Sequence, residues 1–309
     1  MTSLRAAAED VAASAESTAQ LRLARSPTSP ATLPRLVVVD RAALRAAGLV
    51  PEESAERHLA DQYRRIKRPI LEKVQALRTA HAPGAQLLMV AGALPGDGKT
   101  FTSINLALSI ARERDFTVLL VDADVAKNHM TRMFDVAAEP GLLDALHDGS
   151  IDVESLVLPT DVPGLSILPA GRAHEAATEL LASAGMATLA ARLTERDPTR
   201  VVLFDSGPLL LSSEARAVAN LVAQIVLVVH AGVTPQNAVR EAIAHIPADK
   251  LTGLVLNQSK ATALDDGYGY GYGYGIPQNK VSSNTPAASA AKGGATRLGP
   301  RIQPGQRAQ

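Results

Sequence analysis

The sequence predicts an α/β fold built on a doubly wound, mostly parallel sheet. Two observations lead to this prediction: short apolar runs rich in Val, Leu and Ile recur from Gln86 onward, and a helical pattern separates most runs from the next. Continuous apolar runs are typical of parallel strands, because helices cover both of their faces. A glycine-rich turn after the first of these runs indicates a sheet of the P-loop NTPase type.

The composition bounds the class of protein. The chain has 309 residues, is 46% hydrophobic, carries no cysteine and has a formal net charge of zero. Without cysteine there are no disulfides, thiolate metal sites or cysteine nucleophiles, and the neutral balance argues against nucleic-acid binding. We see no apolar run near the roughly 18 residues of a spanning helix, so we expect a cytoplasmic protein that meets the membrane through a partner.

The first 80 residues divide into a linker and a helical region. Residues 1–34 are rich in Ala, Ser and Thr and end in SPTSPATLP, which predicts a disordered segment before a folded domain at 35–260. RLVVVD predicts a short strand, and RAALRAAG predicts a helix closed by Gly48. A polar helical segment follows over 52–80, and we expect Pro69 to kink or break it.

Further strands are predicted in chain order from the apolar runs. They are QLLMVAG, TVLLVD, LSILPA, RVVLFD, AQIVLVVH and LTGLVLNQ. Helices are expected after the first run to about Glu113, near 174–195, and on both sides of AQIVLVVH.

The stretch ALPGDGKT fits the pattern [AG]-x-x-x-x-G-K-[ST] at a strand-to-helix turn. Its glycines allow backbone N–H groups to close around phosphate oxygens at a helix N-terminus. We expect Lys99 to add a charge for the β and γ phosphates and Thr100 to offer its hydroxyl to Mg²⁺. The predicted nucleotide-binding residues of the loop are Pro95, Gly96, Asp97, Gly98, Lys99, Thr100 and Phe101.

Carboxylates follow two of the predicted strands. VDAD places Asp122 and Asp124 two residues apart, and VVLFD ends in Asp205, at the Walker B position. Because the carboxyl ends of parallel strands share one edge, these acids are expected beside the phosphate loop and within reach of Mg²⁺. Loop acids that cap the next helix are the alternative interpretation.

The C-terminal part has an unusual composition. Four of the five tyrosines, Tyr268, Tyr270, Tyr272 and Tyr274, alternate with glycine, which predicts a flexible tyrosine cluster at 261–275. Residues 276–309 contain five Lys or Arg and no acid among Pro, Gly, Ser and Ala, which predicts a disordered basic tail.

Together these motifs resemble the bacterial tyrosine kinases that regulate capsule and exopolysaccharide synthesis, over roughly residues 35–275. The resemblance rests on PGDGKT, VLLVDAD, VVLFDSGP, ELLAS, GLVLNQ and the tyrosine cluster. DQYRRIKRPI is similar to the subgroup found with exopolysaccharide loci of the exosortase type. The resemblance implies an ATP- and Mg²⁺-dependent autokinase that phosphorylates Tyr268, Tyr270, Tyr272 and Tyr274, more readily on a neighbouring subunit.

The resemblance also implies roles for single residues. Asp122 is implied as the base near the attacking hydroxyl, and Asn257 as a neighbour of the adenine. The remaining implied ligands of the phosphates and Mg²⁺ are Lys99, Thr100, Asp124 and Asp205. Two departures stand out: Ser206, Gly207 and Pro208 follow the Walker B strand where two prolines are usual, and Lys127 replaces a common arginine.

Assembly and partners are implied in the same way. Members of the family form rings through a helix with Glu-x-x-Arg-x-x-Arg, and the matching positions are Asp61, Arg64 and Lys67. A solvated charged helix face explains these three residues equally well. The implied partners are further copies of the chain, a Wzz-like membrane polysaccharide co-polymerase that activates it at the inner face of the membrane, and a cognate tyrosine phosphatase.

Two other functions were considered. A MinD- or ParA-like ATPase, acting as a nucleotide-dependent assembly switch, shares the predicted fold, but its signature lysine position is Leu94 here. A scaffold that assembles through the Gly-Tyr run is the non-enzymatic alternative. The kinase interpretation accounts for both the Mg²⁺–ATP motifs and the tyrosines.

Overall fold

The computed structural model describes residues 35–259 of the chain. Residues 1–34 and 260–309 lie outside the described residues. The disordered N-terminal segment, the tyrosine cluster at 261–275 and the basic tail at 276–309 therefore remain predictions from the sequence.

A seven-stranded sheet forms the centre of the fold and has the order β3-β4-β2-β5-β1-β6-β7. All neighbouring pairs are parallel except β3 and β4, which confirms the predicted doubly wound sheet. The six predicted apolar runs all form strands. The strands are β1 (Leu87–Gly92), β2 (Thr117–Asp122), β3 (Leu158–Pro159), β4 (Leu165–Leu168), β5 (Arg200–Asp205), β6 (Gln224–His230) and β7 (Leu251–Asn257).

Helices connect the strands and cover both faces of the sheet. They are α1 (Arg41–Ala46), α2 (Glu53–Thr79), α3 (Lys99–Ile110), α4 (His129–Met133), α5 (Leu142–His147), α6 (Ala177–Leu181), α7 (Ala184–Glu195), α8 (Ser213–Leu221) and α9 (Gln236–Ala244), with a 3₁₀ turn at Val153–Leu156. Helix α1 ends before Gly48, whose φ of 68° is the left-handed conformation expected of a glycine that closes a helix.

Alternate residues of each strand enter two separate apolar layers, because successive side chains of a strand point to opposite faces. On β1, Leu87 and Met89 pack with helices α5 to α9. Leu88 and Val90 pack on the other face with helices α1 to α4. Both faces of the central strands are therefore dry, which explains why these strands read as continuous apolar runs.

The predicted strand at RLVVVD is wrong. Within this segment only Val37 makes a β-bridge, with Thr160 at the outer edge of the sheet. Val37 donates its N–H to the carbonyl of Pro159, which has no N–H to continue a ladder. Val37 and Val39 are buried while Leu36 and Val38 are exposed, so the segment has the alternation of a strand without its pairing.

Pro69 does not break the helix that contains it. Helix α2 runs without interruption for 27 residues from Glu53 to Thr79, so the predicted break is absent. Pro69 lies on the exposed face, where water can hydrate the carbonyl that loses its hydrogen bond. Apolar contacts of Ile70 and Val74 with α3 hold the other face in place. Within residues 35–259, the helices are too short or too polar to cross a membrane.

Candidate active site

The predicted phosphate loop lies between β1 and α3, at the carboxyl edge of the sheet. Gly96 and Gly98 adopt φ values of 84° and 93°, a region that side chains strongly disfavour. Gly92 is needed for a different reason, because a Cβ there would stand 2.9 Å from Oδ2 of Asp97. Helix α3 begins at Lys99, directly after Gly98, so the free amides of its first turn face the loop.

The Asp97 side chain stabilises the phosphate loop by accepting hydrogen bonds. Its Oδ2 accepts a hydrogen bond from the backbone N–H of Leu94 at 2.8 Å, and its Oδ1 accepts one from the Thr234 hydroxyl at 2.6 Å. Thr234 Oγ1 in turn accepts the backbone N–H of His230 at 3.0 Å. The Asp97 side chain is thereby committed to loop structure, and it ties the phosphate loop to the connection between β6 and α9.

Lys99 folds back over the loop. Its Nζ donates to the carbonyl of Leu94 at 3.0 Å, which holds the ammonium above the turn where phosphate groups bind in a P-loop. Burial lowers the pKa of the Lys99 ammonium, and nearby carboxylates, with Asp97 the strongest, oppose that shift.

Asn257, the last residue of β7, contacts the same loop. Its Nδ2 donates to the carbonyl of Asp97 at 3.0 Å. The contact is close, because a Cβ on Gly98 would lie 1.9 Å from this nitrogen. Asn257 therefore stabilises the loop backbone, and its predicted proximity to adenine remains a prediction.

Asp122 and Asp205 end neighbouring strands as register partners. Asp205 is buried, and its Oδ1 accepts a hydrogen bond from the Ser103 hydroxyl at 2.8 Å. Burial, together with the charge of Asp122, raises the pKa of Asp205 to about 7, and hydrogen bonds from Ser103 and Thr100 act against this shift. The Walker B carboxylate thus lies against the first turn of the phosphate-loop helix.

The Asp122 carboxylate is fully buried and held by α4. Its Oδ2 accepts hydrogen bonds from the backbone N–H and the hydroxyl of Thr131, at 2.8 and 2.7 Å. Burial raises the pKa of Asp122 to about 6, against the lowering effect of Thr131. In the described geometry the Asp122 side chain is bonded to Thr131, and its expected position beside the attacking hydroxyl remains a prediction.

Of Asp122, Asp124 and Asp205, only Asp124 lines the cavity beside the phosphate loop. It lines a cavity of about 420 Å³ together with most of the phosphate loop. Its Oδ1 lies 3.4 Å from the point where a Cβ of Gly207 would stand, so it also contacts the segment after Walker B. The cavity is lined by Gly48, Leu49, Pro95, Gly96, Gly98, Lys99, Thr100, Phe101, Asp124, Lys127, His129, Arg132, Pro208 and Gln258.

These residues fit Mg²⁺ bound with a nucleotide. Thr100, Asp124 and Asp205 supply oxygen donors beside Lys99, and Mg²⁺ prefers one or two carboxylates completed by phosphate and water oxygens. Across residues 35–259, no three acidic or histidine side chains converge at metal-ligand distances. A metal that arrives with a nucleotide takes part of its ligands from the phosphate oxygens.

The predicted oligomerisation residues separate into two environments. Asp61 and Arg64 are exposed and pair with each other along α2. Lys67 is buried, and its Nζ binds the carbonyl of Ser109 at 2.7 Å and the carboxylate of Glu113 at 2.6 Å. The charge of Lys67 is thus used within the chain, and its predicted role in subunit contacts remains a prediction.

Sequence reasoning missed several residues that hold the site together. Ser103, Thr131 and Thr234 each donate a hydroxyl hydrogen bond to one of the aspartates. Ser103 had a local signal, because it lies one turn after Lys99 on the same helix. Thr131 and Thr234 had none, since they come from segments whose position becomes known only in the folded chain.

Comparison with known proteins identifies relatives that share the region containing the phosphate loop. Residues 86–235, which include the phosphate loop and all three aspartates, match the family described as an AAA domain. The putative tyrosine-protein kinase EpsB of Ralstonia solanacearum is 33% identical over 208 residues, covering 65% of this chain and 27% of EpsB. The chain thus spans about a quarter of the length of EpsB.

Two solved kinase domains have the same fold. The VpsO kinase domain is 30% identical, with a TM-score of 0.52 over 65% of this chain and 98% of that domain. The kinase domain of the Escherichia coli tyrosine kinase ETK is 28% identical, with a TM-score of 0.51 over 66% of this chain and 80% of that domain. With the phosphate loop and both aspartate-bearing strands inside the matched region, this chain belongs to the bacterial tyrosine kinase family.

Proposed function

We propose that the chain transfers the γ-phosphoryl group of ATP to tyrosines of its own C-terminal cluster, Tyr268, Tyr270, Tyr272 and Tyr274. One observation carries the proposal: the phosphate loop, Asp124 and Gln258 line the same cavity. Gln258 follows the last strand, so the chain leaves the fold toward its tyrosines at the place where the nucleotide would bind.

Each group at the cavity has a proposed task. Lys99 and the amides of the first turn of α3 hold the phosphates, and Asn257 keeps the loop in shape. Thr100, Asp124 and Asp205 would hold Mg²⁺, which neutralises the charge on the transferred phosphoryl group when it is bound. These groups are already in position before the reaction. The rate acceleration therefore comes mainly from orientation of the reactants and from electrostatic stabilisation of the transition state.

The reaction needs an acceptor for one proton. The tyrosine oxygen forms a bond to the γ-phosphorus, the bond from that phosphorus to the β–γ bridging oxygen breaks, and ADP leaves. The phenolic proton passes to Asp122, whose pKa of about 6 suits a carboxylate that is ionised at neutral pH yet more basic than usual. For this step the Asp122 side chain turns away from Thr131 toward Asp124 and the cavity.

Transfer between subunits is the proposed route. The eleven residues from Asn257 to Tyr268 span at most roughly 35 Å, which is enough to reach a neighbour's cavity. Asp61 and Arg64, the exposed pair on α2, are the proposed contacts between the subunits of a ring. Each phosphotyrosine adds about −1.5 to −2 charges, so four would add on the order of −6 to −8, and their repulsion would release the tail and loosen the assembly.

The proposed partners follow from the family. EpsB and ETK are named as tyrosine kinases, and a further relative, ExoP of Rhizobium meliloti, is named as a succinoglycan biosynthesis transport protein. We propose that this chain controls exopolysaccharide polymerisation and export, activated at the inner face of the membrane by a Wzz-like co-polymerase and reset by a tyrosine phosphatase.

The test uses two full-length variants that complement each other. One carries Lys99→Met and keeps the tyrosines, and the other carries all four Tyr→Phe changes and keeps the kinase site. Each variant alone should remain without phosphotyrosine in Mg²⁺–ATP. When they are mixed, the Lys99→Met protein should gain phosphate between Tyr268 and Tyr274, as measured by mass spectrometry.

Two results speak against the proposal. Phosphotyrosine on Lys99→Met protein incubated alone would exclude the phosphate loop as the catalytic site. Active wild-type protein with no phosphate on the cluster would exclude these tyrosines as acceptors. A wild-type protein that is phosphorylated while the mixed variants are not would retain the kinase and replace transfer between subunits by transfer within one chain.

A further inference from the structure

One wall of the nucleotide cavity carries three basic side chains, Lys127, His129 and Arg132, which we call the basic rim. All three belong to the segment after β2 and are exposed. In the part of the chain from 35 to 259, neither Lys127 nor Arg132 forms a salt bridge. The rim therefore presents positive charge to the cavity mouth without an acidic partner of its own.

The backbone fixes the rim next to the catalytic aspartates. The N–H groups of Lys127 and Asn128 both donate to the carbonyl of Asp124, at 3.0 and 2.7 Å. Asn128 has a φ of 40°, which turns the chain sharply at this point. Arg132 Nη2 donates to the carbonyl of Lys127 at 2.7 Å. These bonds form one compact turn over Asp124, so the rim is held at the mouth of the cavity.

The phosphate loop already has what it needs to bind a nucleotide. Lys99 and the first turn of α3 supply positive groups at the cavity, and Asp124, from the turn that carries the rim, lines the same cavity. A second group of cations, exposed at the wall of the cavity, suits an anionic group that enters from solvent. At an exposed rim such charges mainly orient and select the incoming ligand.

The acceptor segment of this chain carries the matching charge. Asp265 and Asp266 stand three and two residues before Tyr268, and no other acid occurs after Asn257. An extended chain advances about 3.3 Å per residue, so an acid held at the rim leaves the Tyr268 hydroxyl within roughly 10 Å of it. That spacing is comparable with the dimensions of a cavity of about 420 Å³.

We propose that the basic rim binds the Asp265–Asp266 pair of the acceptor segment and so directs Tyr268 toward the γ-phosphate. The inference rests on the proposed kinase function and adds its substrate rule: the enzyme selects a tyrosine that has acidic residues two or three positions before it. Tyr268 is then the first acceptor, because Tyr270, Tyr272 and Tyr274 lie progressively further from the anchored acids.

Binding of a labelled peptide tests the rule without requiring catalysis. The probe is a fluorescein-labelled peptide of residues 262–275, TALDDGYGYGYGYG, and the comparison peptide has Asn in place of both acids. The enzyme is the full chain with its four tyrosines changed to Phe and with Asp265→Asn and Asp266→Asn, so that its own tail does not compete. Fluorescence anisotropy measures Kd with Mg²⁺–ADP present.

The Asn-Asn peptide should bind about three- to tenfold more weakly at low salt, and added salt should reduce the difference. Lys127→Gln with Arg132→Gln should abolish the preference. Arg114→Gln is the matched control, because Arg114 is exposed in the turn before β2, at the opposite edge of the sheet. It should retain the full preference.

Four results decide whether the rim binds the acidic pair and whether the chain is a kinase. Equal Kd values for the two peptides would overturn the inference, and so would a rim variant that loses ATP affinity while it keeps the peptide preference. Phosphate transfer to both peptides at equal rates would overturn the substrate rule and leave the kinase function standing. A preference in binding with no phosphate transfer would support the rim as an acidic-peptide site and count against the kinase function.

Discussion

Asp122 and Asp205 stand opposite each other at the ends of β2 and β5, and both side chains are buried. Burial raises the pKa of these carboxyl groups to about 6 and about 7, above the value of 3.8 in an unfolded chain. After burial, the charge of Asp122 is the next largest cause that raises the pKa of Asp205. The two carboxylates can attract a cation, and their burial lowers the free energy of unfolding.

The metal-free protein should therefore lose stability as the pH rises. Between about pH 4 and pH 7 the unfolded chain has released these protons while the folded chain still holds them, so the folded state is favoured at the lower pH and this advantage disappears through the folded pKa values. We expect a loss on the order of 2–4 kcal/mol, measured by urea unfolding in EDTA at pH 5 and pH 8. Asp205→Asn should flatten the dependence, whereas Asp249→Asn, an exposed control, should not. Equal slopes in the two variants would contradict this explanation.

Thr131 should control the availability of the proposed base. Thr131→Val removes the hydroxyl bond that lowers the pKa of Asp122. The acid limb of the pH–rate profile for autophosphorylation should shift upward, so that activity falls near pH 6–7 and recovers near pH 8. Thr131→Ser keeps a hydroxyl and should behave as wild type. A uniform loss of rate at every pH would indicate a purely structural role for Thr131.

Gly98 and Gly96 provide a matched pair for the phosphate loop. Both have positive φ, so alanine costs about 1–2 kcal/mol at either position. Only at Gly98 would the added Cβ strike Asn257, while Gly96 has no atom within 4 Å of that point. Gly98→Ala should lower ATP affinity at least about tenfold more than Gly96→Ala in a calorimetric titration. Addition of Asn257→Ala should restore part of the loss, and no restoration would rule out the contact as its cause.

Lys67 and Arg64 should have different effects despite their shared motif. Lys67→Ala leaves the buried Ser109 carbonyl and Glu113 without their partner and should lower the free energy of unfolding by about 1–3 kcal/mol. Arg64→Ala should change it by less than about 0.5 kcal/mol, because this side chain is 65% exposed. Urea unfolding measures the first effect. Light scattering with ATP should reveal a smaller assembly for Arg64→Ala only.

The strands and the phosphate loop could be predicted because their signals are local. Each central strand is dry on both faces, so its whole run is apolar, and the loop requires glycine at fixed spacing. RLVVVD carried the same local signal, but its pairing depended on Pro159, which lies over a hundred residues away. No local pattern could exclude that strand.

The directions of the side chains in the site were harder to predict from the sequence than the strands and the phosphate loop. Asp122 and Asp124 were correctly expected at one edge, yet Asp122 is bonded to Thr131, and of the two only Asp124 lines the cavity. The burial of Lys67 could have been anticipated from sequence. It lies four residues after Tyr63 and three before Ile70, both in the buried stripe of α2, so the helical period places it on that stripe.

Lys67 joins α2, the helix of the proposed subunit contacts, to α3, the helix that begins at Lys99. A shift of α2 imposed by a neighbouring subunit would act on the last turn of α3, the helix whose first turn faces the phosphate loop. Thermodynamic linkage makes this effect reciprocal: the factor by which assembly changes ATP affinity is also the factor by which ATP changes the affinity between subunits. ATP affinity should then depend on protein concentration.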